Sequence, residues 1–243
     1  MEYVEILRAR RVLFWYGIVL LGLVLITALS VFGGHADIQR GNSDTKFSSV
    51  LAGAMFGAFV VATFIATGLN AESATTAIIW TRPTARDTIA WRYVAVDAAA
   101  IAVGYAMIVV AILAVMAVIG VLDKVVYDVL FSLPVAALGL GAALMCYALV
   151  SLAAARLPGR GGLIAGLSWA VFLVAVGVRA APLPSLLHGI IVALDYLNPL
   201  AYVGGTHSDS GVPLDLPVRI AMVWAIAAVA AVASVRLWST REV

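Results

Sequence analysis

Five stretches of this chain run for 18 residues or more without one Asp, Glu, Lys or Arg: residues 12–34, 47–71, 98–122, 129–155 and 161–178. Roughly 20 apolar residues in a helix suffice to cross the hydrocarbon core of a bilayer. No water reaches main-chain N–H and C=O groups in that core, so a spanning segment bonds within itself as a helix or closes into a barrel. Long uncharged runs without polar alternation are therefore expected to be membrane helices. A sixth run, 220–235, is shorter, but Arg219 and Arg236 bound it and can reach toward opposite interfaces. Residues 180–194 are too short to span and contain Pro182 and Pro184, so they are expected to be re-entrant or interfacial.

The remaining composition points the same way. The chain is 64% hydrophobic and 12% charged, whereas soluble domains are about half apolar and about a quarter charged. So few charges cannot solvate a globular surface. The expected fold is an all-α integral membrane protein, with residues 1–243 forming one transmembrane domain. A net charge of +2 does not suggest a nucleic-acid partner, and a single cysteine, Cys146, excludes an intrachain disulfide. The N-terminus does not read as a cleaved signal. Glu2 and Glu5 precede the basic cluster, and the apolar run after it is too long.

Six crossings put both termini on one side. That side collects Arg8, Arg10, Arg11, Arg82, Arg86, Arg92, Arg156, Arg160, Arg236 and Arg241, and the other collects Arg40, Lys46, Lys124, Arg179 and Arg219. Basic residues concentrate in cytoplasmic loops, which places the termini in the cytoplasm. Phe14, Trp15, Tyr16, Trp91, Tyr93 and Trp238 lie near the same span ends, where amphipathic rings favour the interface. Within the spans, "GAMFG" (53–57) and "GLIAG" (162–166) are small-residue patterns that allow close helix approach, read here as packing within the bundle, with dimerisation as the alternative. Pro134 falls in the first turns of the fourth span, where a missing N–H matters least.

The connection after the second span, "LNAESATTAIIWTRPTARDTIAWRY", carries more than a turn requires. Asn70 and Ser73 are candidate helix caps, and residues 74–80 can continue as a short helix. Pro83 disfavours helix at Arg82 and forces a break. Thr84 can cap a new helix with Asp87 near its positive end. The expectation is helix, elbow, helix lying against the membrane, with Arg82, Arg86 and Arg92 turned toward lipid phosphates or a partner protein.

This arrangement of Glu72, Ile78, Ile79, Arg82, Pro83, Arg86 and Arg92 resembles the permease subunits of type-two ABC exporters. "MEYVEILRARRVLFW", with Glu5, Arg8, Arg10 and Arg11, resembles that family's N-terminal elbow helix. "YLNPLAYV" (196–203), with Asp195 just before it and Asn198 and Pro199 within it, resembles its outer re-entrant element. The resemblance implies six transmembrane helices with an elbow helix, a cytoplasmic coupling helix between spans two and three, and a re-entrant outer segment before span six. It also implies a bacterial inner-membrane location and a second permease, either a copy or a homologue. Two separate cytoplasmic ATPase subunits would dock on the elbow and coupling loop, with ATP and Mg bound on them. This chain has no G-x-x-x-x-G-K-[ST], so it carries no phosphate-cradling loop of its own and is not expected to be an enzyme. The expected cargo is amphipathic: a lipid-like molecule, a drug or a peptide.

Other residues invite other readings. Asp97 opens the third span; an intramembrane carboxylate is a functional candidate, but its place near Arg92 and Tyr93 favours an interfacial cap or local ion pair. Ser168 with His188 is a weak hint of an intramembrane hydrolase, which needs nucleophile and base in contact; a helix-packing serine is the simpler reading. His35, His188 and His207 with Asp37, Asp195 and Asp209 lack metal-ligand spacing. Arg179 and Asp195 flank the outer broken segment and can pair across it. A non-transporting anchor or regulatory subunit is the remaining alternative to transport.

Overall fold

In a computed structural model, the described residues are 10, 13–14, 16–18, 22, 45–71, 86–120, 122–127, 129–157, 160–178, 189–190, 193–202 and 214–240. Five long helices dominate them: α1 (Phe47–Ala71), α2 (Arg86–Ile119), α3 (Val129–Arg156), α4 (Gly161–Val178) and α5 (Leu216–Ser239). Four of these, α1, α2, α3 and α5, are long and apolar enough to cross a membrane, and α4 is a shorter apolar helix. The protein is thus all-helical and compatible with multiple membrane crossings. Residues 10, 13–14, 16–18 and 22 are helical as well, and the rest of the first expected span lies outside the described residues.

Three of these helices stop for a visible reason. Gly120, at φ 77°, takes the left-handed position that closes α2, with its N–H on the Ala117 carbonyl at 3.1 Å. After α3, whose last turn holds Arg156 at the helix's negative end, the sequence Pro158-Gly159 cannot continue the helix. Asp215 precedes α5, with a proline in its first turn, and Thr240 folds back at the other end to donate its hydroxyl to the Arg236 carbonyl at 2.9 Å. Pro134 sits within α3, and the helix continues past it.

The helices run antiparallel in chain order. At one end, Thr45 and Lys46 pair in parallel with Val125 and Val126, and Phe47 meets Tyr127 with ring centroids 5.2 Å apart. At the other, the start of α2 meets the end of α5, where Tyr93 and Trp238 form an edge-to-face pair at 6.0 Å. Among the described residues, Arg86, Arg92, Arg156, Arg160 and Arg236 gather at this second end. Helix α3 is central, packing broadly on α1 and α5.

The exposure of the apolar residues is compatible with lipid surroundings. The apolar window of α1 is 67% buried, but those of α2 and α5 are only 28% buried. Val110, Val118, Leu130 and Val229 all stand well exposed. Apolar surface on this scale drives aggregation in water and is solvated by acyl chains.

Hydrocarbon gives no hydrophobic drive between helices, so close packing and hydrogen bonds must hold them together. Tyr16 is buried against α2, donating its hydroxyl to the Ile101 carbonyl at 3.1 Å. Its ring occupies the space that a Cβ on Gly104 would need, 1.7 Å from that position. Gly139 likewise receives the Tyr105 hydroxyl, and Gly141 receives Trp224 and Val223. Tyr105 donates to the Leu51 carbonyl and the Trp224 indole N–H to the Ala137 carbonyl, each at 3.1 Å. By contrast, Gly162 and Gly166 are exposed with open space where a Cβ would stand. The expectation that their pattern packs within the bundle is therefore not met among the described residues.

Gly104→Ala should displace the Tyr16 ring and destabilise the protein by about 1–3 kcal/mol, the usual cost of overpacking. Gly162→Ala should cost nothing measurable. Thermal unfolding of the two variants in the same detergent gives the comparison.

Candidate functional site

Glu72, Ile78, Ile79, Arg82 and Pro83 of the expected coupling element lie outside the described residues, as do Glu5, Arg8 and Arg11 of the expected elbow. Arg10 is helical and exposed. Arg86 and Arg92 are exposed on the first two turns of α2, beside Asp87. Here the structure departs from expectation. The residues after the proline do not form a separate surface helix leading to a span at 98; they belong to one uninterrupted helix from Arg86 to Ile119. At 1.5 Å per residue its 34 residues extend about 51 Å, against a hydrocarbon thickness of about 30 Å. Any displacement at Arg86 is therefore carried into the bundle by a single rod.

Asp97 is the second departure. It is not an interfacial cap: its exposure is 0%, and it accepts a 2.7 Å hydrogen bond from the Tyr147 hydroxyl of α3, itself 3% exposed. The additional turns of α2 carry Asp97 inside the packing, about 16 Å along the helix from Arg86. A carboxylate in an apolar interior is costly unless bonded, and the phenol meets that need. One turn earlier, Tyr93 is buried against Trp238 of α5. The arginine-bearing end of α2 is thus fastened to two neighbouring helices. At Cys146, next to Tyr147 in the chain, the Thr63 hydroxyl of α1 lies 3.6 Å from the sulfur and donates to the Phe59 carbonyl.

The outer segment forms a compact second cluster. Asp195, Asn198 and Pro199 are all buried. The Asn198 amide uses both ends: its Nδ2 donates to the Phe172 carbonyl of α4 at 3.0 Å, and its Oδ1 accepts from the Leu200 N–H at 3.1 Å. A short 3-10 turn, Pro199–Tyr202, follows, and the Tyr202 hydroxyl donates to the Tyr196 carbonyl. Asp195 and Arg219 both act electrostatically on Tyr202. Arg219 turns its side chain back toward the start of α5 and is buried against protein there. It is 6% exposed and its Nε donates to the Leu214 carbonyl at 2.6 Å. Arg179 and all three histidines lie outside the described residues.

Sequence reading missed Tyr147 as the partner of Asp97, and the burial of Tyr202 and Arg219. One signal was present: a tyrosine within an otherwise apolar span has to place its hydroxyl somewhere. Ser168 is half-buried on α4. Comparison with protein-family models, curated proteins and solved structures finds no match to this chain.

Tyr147→Phe should leave the Asp97 carboxyl short of a donor in the interior and cost about 1–3 kcal/mol. Asp97→Ala combined with Tyr147→Phe should cost less than the sum of the single changes, because the two groups act as a pair. Unfolding midpoints of the four proteins in one detergent give the coupling.

Proposed function

We propose that this chain is the membrane-spanning subunit of an ATP-driven transporter, a type-two ABC permease that exports an amphipathic cargo. Separate ATPase subunits supply hydrolysis, and a second permease, identical or homologous, completes the pathway. In this reading the chain crosses a bacterial inner membrane six times, with both termini and the arginine-rich end in the cytoplasm.

The observation that carries the reading is the continuity of α2. It joins the end of the "RPTAR" sequence to the centre of the bundle without a break. Its first turns present Arg86 and Arg92, and its next turns are fixed to α5 by Tyr93 and to α3 by Asp97. A push on the arginines, delivered by carboxylates of a docked partner, would move three helices together. Charge pairs at such a surface set partner choice and register. Residues 72–86 act as the coupling element and residues 5–11 as part of the elbow that the same partner grips.

The outer segment supports the reading from the opposite side. Asn198 meets α4 at Phe172, six residues and about 9 Å short of that helix's end. A chain that returns to this depth with its Asn198 amide bonded to protein suits a re-entrant element, since irregular backbone at membrane depth survives only where protein satisfies it.

Arg82→Glu combined with Arg86→Glu should leave the protein inserted in the membrane while reducing recovery of the ATPase in pull-down at least fivefold, with loss of transport. Undiminished recovery and transport in that variant would remove the coupling assignment.

A further inference from the structure

Helices α3 and α4 diverge from their shared turn, and the space between them is a crevice of about 340 Å³. Val150, Ile164 and Phe172 form its buried floor, and Leu157, Leu167 and Leu197 form an exposed rim on the lipid-facing side. Asn198 also lines it, but both ends of its amide are already bonded, so it presents no unmet polar need. The lining is otherwise almost wholly carbon, apart from Ser168.

Three features identify what fits. The first is size: an apolar cavity of roughly 150 Å³ holds a benzene ring, so this one has room for about a dozen carbons. The second is length. From Ile164 to Ala175 the crevice follows α4 for about 16 Å, close to the depth of one leaflet of a hydrocarbon core about 30 Å thick. The third is charge. The turn at the open end carries Arg156 and Arg160, both exposed, on either side of the rim residue Leu157. Guanidinium groups bind phosphate oxygens in paired hydrogen bonds.

We propose that this crevice binds an anionic phospholipid, with one acyl chain lying between α3 and α4 and the phosphate held by Arg156 and Arg160. The lipid fills a gap that the described residues leave open beside α4. Because the site uses none of the coupling residues, it holds whether or not the chain works with an ATPase.

The test is native mass spectrometry of the purified protein in mild detergent, titrated separately with dioleoylphosphatidylglycerol and dioleoylphosphatidylcholine. The chains are identical, so any difference reports the headgroup. The glycerol lipid should bind at least tenfold more tightly. Ala153→Phe, at an exposed lining position, should abolish that tight adduct. Arg156→Gln with Arg160→Gln, on an exposed turn where folding is not at stake, should reduce binding to the level of the choline lipid. Equal binding of the two lipids by the unmodified protein would mean annular lipid only and would overturn the proposal. So would an undiminished glycerol-lipid adduct in Ala153→Phe or in the arginine double variant.

Discussion

Every polar group in this bundle needs a protein partner, because hydrocarbon offers none. Helix formation satisfies the main chain, and the few polar side chains then become the ties between helices. Tyr16 to Ile101, Tyr105 to Leu51, Trp224 to Ala137 and Asn198 to Phe172 each place a side-chain donor on a main-chain carbonyl of another element. Tyr147 to Asp97 joins one side chain to another, on a full carboxyl. Glycines at 104, 139 and 141 make the approaches possible by yielding the space their neighbours fill. The apolar residues, which would organise a soluble protein, are here as much outside as inside.

That inversion governs what could be read from sequence. Helices α1 and α4 coincide with the uncharged runs 47–71 and 161–178. For α2 and α5 the uncharged run underestimates the helix. Arg86, Asp87, Arg92 and Asp97 interrupt the hydrophobicity without breaking the helix, since none of them is a helix breaker. Uncharged length reports hydrocarbon thickness, and helix length is a separate quantity.

The two buried charges follow from this. Asp97 was assigned to an interface because it opens a run, and Arg219 because it precedes one. Both are buried within longer helices, and Asp97 meets Tyr147, 50 residues away in the chain. Such neighbours are distant in sequence, so a linear reading had no access to them. Asn198 and Pro199 were more legible. A proline beside an asparagine in an apolar stretch favours a bend, and the 3-10 turn with the local Leu200 N–H bond to Asn198 Oδ1 is that bend, while the Asn198 Nδ2 bond to Phe172 lies beyond a local reading.

The most direct measurement of the central claim, a bundle crossing the membrane with its arginine end in the cytoplasm, is labelling by a membrane-impermeant maleimide in intact cells. The native Cys146 is fully buried and provides a silent background. Asp123→Cys and Thr240→Cys place single thiols at exposed positions on opposite ends of the bundle. The account predicts that the first is labelled in intact cells and the second only after lysis. Labelling of both in intact cells, or of neither, would contradict it.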